Sequence, residues 1–327
     1  MSTMSPLRRA LWTAAAATLA TAVGFLGPAR AAAADDYPVR AVQMIVSLPA
    51  GSGTDILARI MGQAFAAKFD KPFLVVNRPG ADLTIAMGAV AGAAADGHTV
   101  GFSPVTPIVI QPQRRRDLPY ARDSFIPVCQ TFENIFYIGV GTKSQFHDIQ
   151  SLLGYARANP GKLRYGHSGM AGGPHLAGAE FWRKAGVQLT DIPYAGEAAY
   201  APHLLSGELD IGIVTTNLVI SQKIIPLAVF SAEREKSHPG VPTVGELGYQ
   251  VTSVSYGGLL VRAGTPAAIV ATLESACREV LNSSAYQEMA AKQRARVHFL
   301  DRSGFAARID ADIRSVATVL RELKLQE

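Results

Sequence analysis

Cysteine is scarce: Cys129 and Cys277 are the only two in 327 residues. That excludes a small scaffold stapled by many disulfides, and no C-x-x-C or H-E-x-x-H spacing offers a zinc site. Both cysteines sit in apolar runs and read as two buried free thiols, although an exported chain would permit a disulfide. Charge is thin as well, with only 17% Asp, Glu, Lys and Arg. The basic residues are scattered, and their single run, Arg114-Arg115-Arg116, reads as a solvated loop, so nothing here fits a nucleic-acid surface. Beyond the N-terminus no apolar run is long enough to span a membrane. Nucleotide loops are missing too. Gly53 is not followed by the Lys of a phosphate-binding loop, and Ile56 stands where a dinucleotide fingerprint needs its third glycine.

What is present starts at the N-terminus. Arg8 and Arg9 precede an apolar run over 10–25, followed by Gly27-Pro28 and a small-residue stretch over 29–34. Charged start, apolar middle and small-residue end predict a secretory signal peptide over 1–34, cleaved after Ala31 or Ala34. A membrane anchor is the competing reading, but the run falls short of the ~20 residues a span needs. Removing Arg8, Arg9 and Arg30 takes the formal charge from +5 to +2. No cysteine lies near the cleavage site to carry a lipid. The expected location is the periplasm.

The remaining chain alternates short apolar runs with helical patterns. Strands are predicted over 42–48, 73–76 and 99–103, with helices over 55–69 and 84–95 between them. Ile56, Ile60, Ala64 and Ala67 mark the apolar face of the first helix. The stretch 104–127 reads as irregular, with one short helix near Ile108. Strands then follow over 135–140, 162–165, 189–193, 210–214 and 225–230, with helices over 151–158, 174–185 and 197–205. After a strand over 255–261, Thr265 reads as a helix N-cap and Pro266 as the first helical residue. One long helical region runs on to Arg294, then a strand over 297–300 and an amphipathic helix over 303–323 bearing Phe305, Ile309, Ile313, Val316 and Leu320. This order predicts two α/β units with parallel strands and a ligand cleft beyond their carboxyl ends.

Three strand-to-helix turns suit an anion. Ser47-Leu48-Pro49-Ala50-Gly51-Ser52-Gly53-Thr54-Asp55 is glycine-rich, and Thr54 or Asp55 is placed to cap the helix after it. Gly166-His167-Ser168-Gly169-Met170-Ala171-Gly172-Gly173-Pro174 repeats the logic, as does Pro193-Tyr194-Ala195-Gly196. Exposed backbone N–H groups and the positive end of a helix dipole favour a carboxylate at each. A serine hydrolase is the rival chemistry. Gly166-His167-Ser168-Gly169-Met170 approaches a nucleophile elbow but ends in Met170 where glycine is needed, and its partners would have to be Asp210 and His238. His175 reads equally as a ligand donor or as a buried polar residue.

Several motifs together resemble the Bug family, the extracytoplasmic solute receptors of tripartite tricarboxylate transporters. Among them are Tyr37-Pro38-Val39-Arg40, Gly51-Ser52-Gly53-Thr54-Asp55, Asn77-Arg78-Pro79-Gly80-Ala81 and Ala95-Asp96-Gly97-His98-Thr99. Further along stand Gly172-Gly173-Pro174-His175-Leu176-Ala177-Gly178, Ile192-Pro193-Tyr194-Ala195-Gly196, Ser206-Gly207-Glu208-Leu209-Asp210 and Ala263-Gly264-Thr265-Pro266. The resemblance covers essentially the whole mature chain in order. It implies an α/β, two-lobed periplasmic-binding-protein-like fold of type II with the cleft between lobes. Lobe 1 would comprise 35–131 plus 256–327 and lobe 2 132–255, hinged near 131–133 and 252–255.

It also implies a carboxylate or amino-acid ligand, membrane transporter subunits as partners, a monomer, no catalysis, and no cofactor, metal or nucleic acid. The implied ligand-binding residues are Ser47, Ala50, Gly51, Ser52, Thr54, Asp55, Asp82, Leu83, Ser103, Thr106, Ser168, Gly169, Met170, Gly172, Ala195, Gly196 and Asn217. Asp82, Leu83 and Glu197 depart from the family pattern, which mostly places small residues there. Either carboxylate would suit a positive group on the ligand. Otherwise Asp82 faces solvent or an arginine, and Glu197 complements its helix N-terminus. A sensor that signals through a membrane protein is a further reading that the sequence does not separate from transport.

Overall fold

The parallel strands expected at the start of the chain form half of a larger mixed sheet. The computed structural model describes residues 36–325 except 252, 254, 293 and 294. The predicted signal peptide therefore lies outside the described residues, as do Arg294 and part of the second predicted hinge. In the first sheet β1 (Val42–Val46) lies between β2 (Phe73–Asn77) and β3 (Thr99–Pro104), all parallel. β10 (Tyr256–Arg262) runs antiparallel to β3 and to β4 (Phe125–Glu133), and β11 (Arg296–Leu300) closes the far edge on β4. The second sheet repeats the plan: β6 (Arg164–Ser168) runs parallel to β7 (Thr190–Tyr194) and β8 (Ile211–Thr215). β5 (Phe136–Val140) runs antiparallel to β8 and to β9 (Ile225–Val229). Both sheets belong to one compact unit, Pro38–Glu327.

α1 (Gly53–Phe69) forms where its apolar spacing predicts, but it buries a neighbouring face. Leu57, Ala58, Met61, Gly62 and Phe65 are inside, while Ala67 is exposed and Ile56, Ile60 and Ala64 are half-buried. Two apolar stripes compete on this helix, and Gly62 decides between them. A Cβ there would sit 3.3 Å from the Phe73 carbonyl oxygen, so the bare glycine lets β2 lie close. The helix cap is Ser52, not Thr54 or Asp55: its side chain accepts the Asp55 N–H.

β4 occupies the stretch that began as irregular in sequence. Its pattern is obscured by Pro127, which offers no N–H, and by the buried polar residues Gln130 and Thr131. The ladder with β10 slips there, Leu259 pairing with Cys129 and Leu260 with Pro127, so Val128 bulges. The same strand corrects the reading of the cysteines. Cys129 on β4 and Cys277 on α9 (Ala267–Asn282) form a disulfide across a sequence separation of 148, both fully buried.

Other local readings shift by small amounts. α9 is capped by Pro266 and begins at Ala267, because Thr265 turns its hydroxyl back to the Arg262 carbonyl. The long helical region is two helices, α9 and α10 (Ser284–Lys292), separated by Ser283, whose extended backbone (ψ 142°) breaks the first and whose hydroxyl accepts the Tyr286 N–H. α8 (Thr216–Gln222) is an addition not foreseen from the sequence.

The chain passes from the first sheet to the second at Asn134–Ile135, since Thr131 to Glu133 still belong to β4. The Asn134 N–H donates to the Ser255 carbonyl at 2.6 Å, tying this passage to the returning strand. The sheets also meet through side chains. Ala171 and Leu176 of the second join one apolar cluster with Ile45, Val105 and Ile108 of the first and with Phe305, Ile309 and Val316 of α11 (Arg302–Glu322).

Candidate functional site

The anion-suited turns gather at the carboxyl ends of the parallel strands. In the first sheet Val46 pairs with Asn77 and with Phe102, so the ends of β1, β2 and β3 lie side by side. In the second, Ser168 pairs with Tyr194 and Gly166 with Gly212, which aligns the ends of β6, β7 and β8. The turn leaving β6 carries Ala171 into the apolar cluster that holds Ile45 and Val105, next to the turns leaving β1 and β3.

The first turn is fixed by Asp55. Its carboxylate accepts the Gly51 N–H at 2.8 Å, the Asn77 side-chain amide at 2.8 Å and the Arg59 guanidinium at 3.0 Å. Burial pushes its carboxyl up, but these hydrogen bonds and the Arg59 charge outweigh it and hold it below the usual range. Asn77 also donates to the Leu48 carbonyl, so β2 buttresses the loop. Asp55 thus shapes the loop, and its carboxylate is fully engaged in doing so.

Ser47 and Ser103 are both completely buried, with their hydroxyls 2.7 Å apart. Ser103 donates to the Pro104 carbonyl, which leaves Ser47 to donate to Ser103. Neither hydroxyl then offers a proton outward. The outward donors here are the N–H groups of Gly53 and Thr54 in the first turn of α1, as the missing intrahelical acceptors at a helix start require.

The strand-to-helix segment after β2 has an uncommon backbone. Ala81, Asp82 and Leu83 follow one another at φ 45°, 52° and 72°, all left-handed, and lead into α2 (Thr84–Ala91). Asp82 is exposed and Leu83 half-buried. Thr106 opens α3 (Thr106–Val109) beyond β3. In the second sheet Ser168, Gly169 and Gly172 are half-buried, Met170 is exposed, and Gly172 caps α6 (Gly173–Lys184). Ala195 is exposed and Gly196 leads into α7 (Glu197–Ser206); Asn217, also exposed, stands in the first turn of α8.

Glu197 does not face outward. Its two carboxylate oxygens accept the Thr215 N–H at 2.5 Å and the Thr215 hydroxyl at 2.8 Å, lacing the start of α7 to the end of β8. Burial pushes its carboxyl up, against the pull of the Thr215 bonds.

His175, which read equally as a ligand donor or a buried polar residue, is buried and belongs to a group the sequence did not reveal. His167, His175 and Asp191 converge behind the β6–α6 turn, with one ligand-capable atom from each within 4.8 Å of the others. They stand 8 and 16 residues apart on two strands and a helix, and no metal-ligand spacing announces them. Asp191 accepts from His167 at 2.5 Å and from His175 at 3.0 Å. Burial pushes its carboxyl up, yet these two hydrogen bonds and the accompanying charge hold it far below the usual range.

The hydrolase partners do not assemble. Asp210 precedes β8 and binds the Arg164 N–H at the amino ends of the strands, whereas Ser168 ends β6 at the opposite edge. His238 contacts Ser237 and Tyr137 instead. A cavity of about 880 Å3 lies elsewhere, behind the Asn134 passage, lined by Glu133, Phe230, Arg296, His298 and Arg308. Two of its lining cations are paired, Arg308 to Glu133 at 2.6 Å and Arg296 to Glu235 at 3.0 Å.

The family model described as tripartite tricarboxylate transporter family receptor, TctC, matches residues 57–325. Protein BugT of Bordetella pertussis is 29% identical over 82% of this chain and 84% of its own. A protein from the tcbD-tcbE intergenic region of Pseudomonas sp. strain P51 is 31% identical over 75% of each. Among solved structures, a ligand-free TctC solute-binding protein from Polaromonas is 26% identical, with TM-score 0.74 over 88% of this chain and 99% of its own. R. palustris Rpa4515, solved with adipate, is 26% identical with TM-score 0.76 over 87% and 97%.

Proposed function

We propose, from the premise that this chain belongs to the tripartite tricarboxylate transporter receptor family, that it captures a small carboxylate in the periplasm and delivers it to the membrane subunits of such a transporter. One observation carries this reading. Turns from both sheets present helix starts and backbone N–H groups, and none of the segments 47–55, 80–84, 103–106, 168–173 and 195–197 contains a lysine or arginine. An anion held there is neutralised by N–H donors and helix dipoles, which suits a carboxylate. The ligand of the similar Rpa4515 is adipate.

In this reading lobe 1 comprises 35–133 with 256–327 and lobe 2 comprises 134–255; the boundary expected at 131–132 moves because Phe132 and Glu133 still pair within the first sheet. They close on the ligand by bending at Asn134–Ile135 and at the returning passage before Tyr256. Residues 1–34 direct export and are removed, and the Cys129–Cys277 disulfide suits the oxidising compartment that results. The mature protein works as a monomer and leaves its ligand chemically unchanged. Among the described residues no helix is long and apolar enough to cross a membrane. Because Glu197 is closed onto Thr215, the preferred ligand is a plain carboxylate and not an amino acid; Asp82 meets solvent.

The test is a thermal-shift and calorimetric screen of the mature protein against mono-, di- and tricarboxylates, acidic amino acids and aromatic acids. A bound ligand at 100 times its Kd adds about 2.7 kcal/mol of stability. A shift with a plain carboxylate, recovered unaltered after incubation, supports the reading. A response confined to amino acids would refute the ligand class, and a chemically altered ligand would refute simple capture.

A further inference from the structure

The His167–Asp191–His175 group has the composition of a metal site, but its hydrogen bonds describe something else. His175 Nδ1 lies 2.7 Å from the Ala171 N–H and accepts it. The single proton of a neutral His175 ring is then on Nε2, where it points at Asp191 at 3.0 Å. A metal bound at that nitrogen would have to displace this proton and leave the ring anionic. His167 differs. Its Nδ1 faces the Gly169 carbonyl at 3.0 Å and its Nε2 faces Asp191 at 2.5 Å. Both partners are acceptors, so each ring nitrogen of His167 faces one of them. The His175 ring stacks on the His167 ring at 4.3 Å between centroids.

This chain of bonds grips the turn at both sides. His167 holds the Gly169 carbonyl, and His175 holds the Ala171 N–H. Ala171 is kept at φ 51°, left-handed and fully buried, where it joins the apolar cluster of the first sheet. Met170, between the two gripped peptides, is turned outward, and its N–H meets no acceptor within the described residues. Remaining aromatic neighbours of His167 are uncharged: Tyr165 lies 5.7 Å away between ring centroids and packs in turn on Trp182.

We propose that Asp191, acting through His167 and His175, is the positioning residue of the carboxylate site, holding the turn over 169–172 so that the Met170 and Gly173 N–H groups point at the ligand. The inference rests on the carboxylate-capture reading, but its structural half does not depend on any ligand. It assigns roles to two residues, His167 and Asp191, that no glycine turn or helix cap calls for.

The experiment uses the mature chain and three variants, Asp191→Ala, His175→Ala and His175→Asn. Asparagine keeps an acceptor at the position of His175 Nδ1 while losing the bond to Asp191. In ligand-free protein, nitrogen NMR is expected to find a proton on His175 Nε2 and its Nδ1 accepting the Ala171 N–H. Amide exchange at Ala171 and Gly172 should speed at least tenfold in Asp191→Ala and His175→Ala, and recover in large part in His175→Asn. Adipate is the probe for binding. Its Kd should rise at least tenfold in Asp191→Ala, beyond any change in circular dichroism, with the same partial rescue by His175→Asn over His175→Ala.

Unchanged amide exchange and unchanged Kd in Asp191→Ala would overturn the proposal. So would zinc binding one-to-one with displacement of both histidine signals, which would make the group a metal site. If adipate fails to bind the wild type, the exchange data alone decide the positioning role, and the carboxylate reading is what falls.

Discussion

Glu197 closes its carboxylate onto Thr215, accepting both the backbone N–H and the hydroxyl of that one residue. Burial raises its carboxyl, so the linkage has a definite sign. A group whose folded value is raised contributes stability below its unfolded value and loses it as pH rises through the folded value. Glutamine at this position keeps the pattern, its oxygen accepting the Thr215 N–H and its amide donating to the Thr215 hydroxyl. Glu197→Gln is therefore expected to gain stability relative to the wild type as pH rises from about 4 to about 8. Thermal melts across that range test this, and a gap that shrinks with pH would contradict it.

Asp55 has the opposite sign. Its carboxyl is held low, so its contribution is present above the unfolded value near pH 3.9 and disappears as pH falls through the folded one. Removing the acceptor leaves the Gly51 N–H and the Asn77 amide without it. Arg59 is about half exposed and water screens its share. Asp55→Ala is expected to cost about 1–3 kcal/mol, and to weaken ligand binding more than Ser47→Ala does, because it loosens the whole 49–53 turn. Urea titration and calorimetry of the two variants separate these effects.

The disulfide closes a long loop between β4 and α9. Its loss in Cys129→Ser/Cys277→Ser is expected to cost about 2–4 kcal/mol, or a fall in Tm of roughly 5–15 °C for a chain this size. Neither cysteine belongs to the ligand turns, so affinity measured below the melting range should be preserved. A matching loss of affinity would mean that the first sheet transmits strain to the site.

Gly258 tests how tightly β10 lies on β4. A Cβ there would come 2.1 Å from the Cys129 carbonyl oxygen and 2.9 Å from Gln130 Cα, both backbone. Neither can yield without parting the strands. Gly258→Ala is expected to cost at least about 2 kcal/mol, whereas Gly154→Ala, where a Cβ meets nothing within 4 Å, should be neutral or mildly stabilising. Paired unfolding curves decide it.

The alternation of strands and helices and the turns that end β1, β6 and β7 were legible along the chain, as was the family resemblance that the comparisons bear out. Those features are local. Glycine, proline and small polar residues set backbone geometry within a few positions, and apolar periodicity marks each element. What depends on partners far along the chain emerged only from the folded arrangement. β4 stayed hidden because Pro127 and two buried polar residues break its pattern, and only pairing with β10 and β11 makes a strand of it. Cys129 found Cys277 because that strand faces α9. The face of α1 was chosen by how closely β2 approaches Gly62, a distance no periodicity encodes. Asp191 lies between two histidines because of the register of β6 against β7 and the pitch of the first turn of α6. Hydrogen bonds between side chains on different elements have no spacing rule in sequence, since the separation along the chain is set by loop lengths, which the bonds do not constrain.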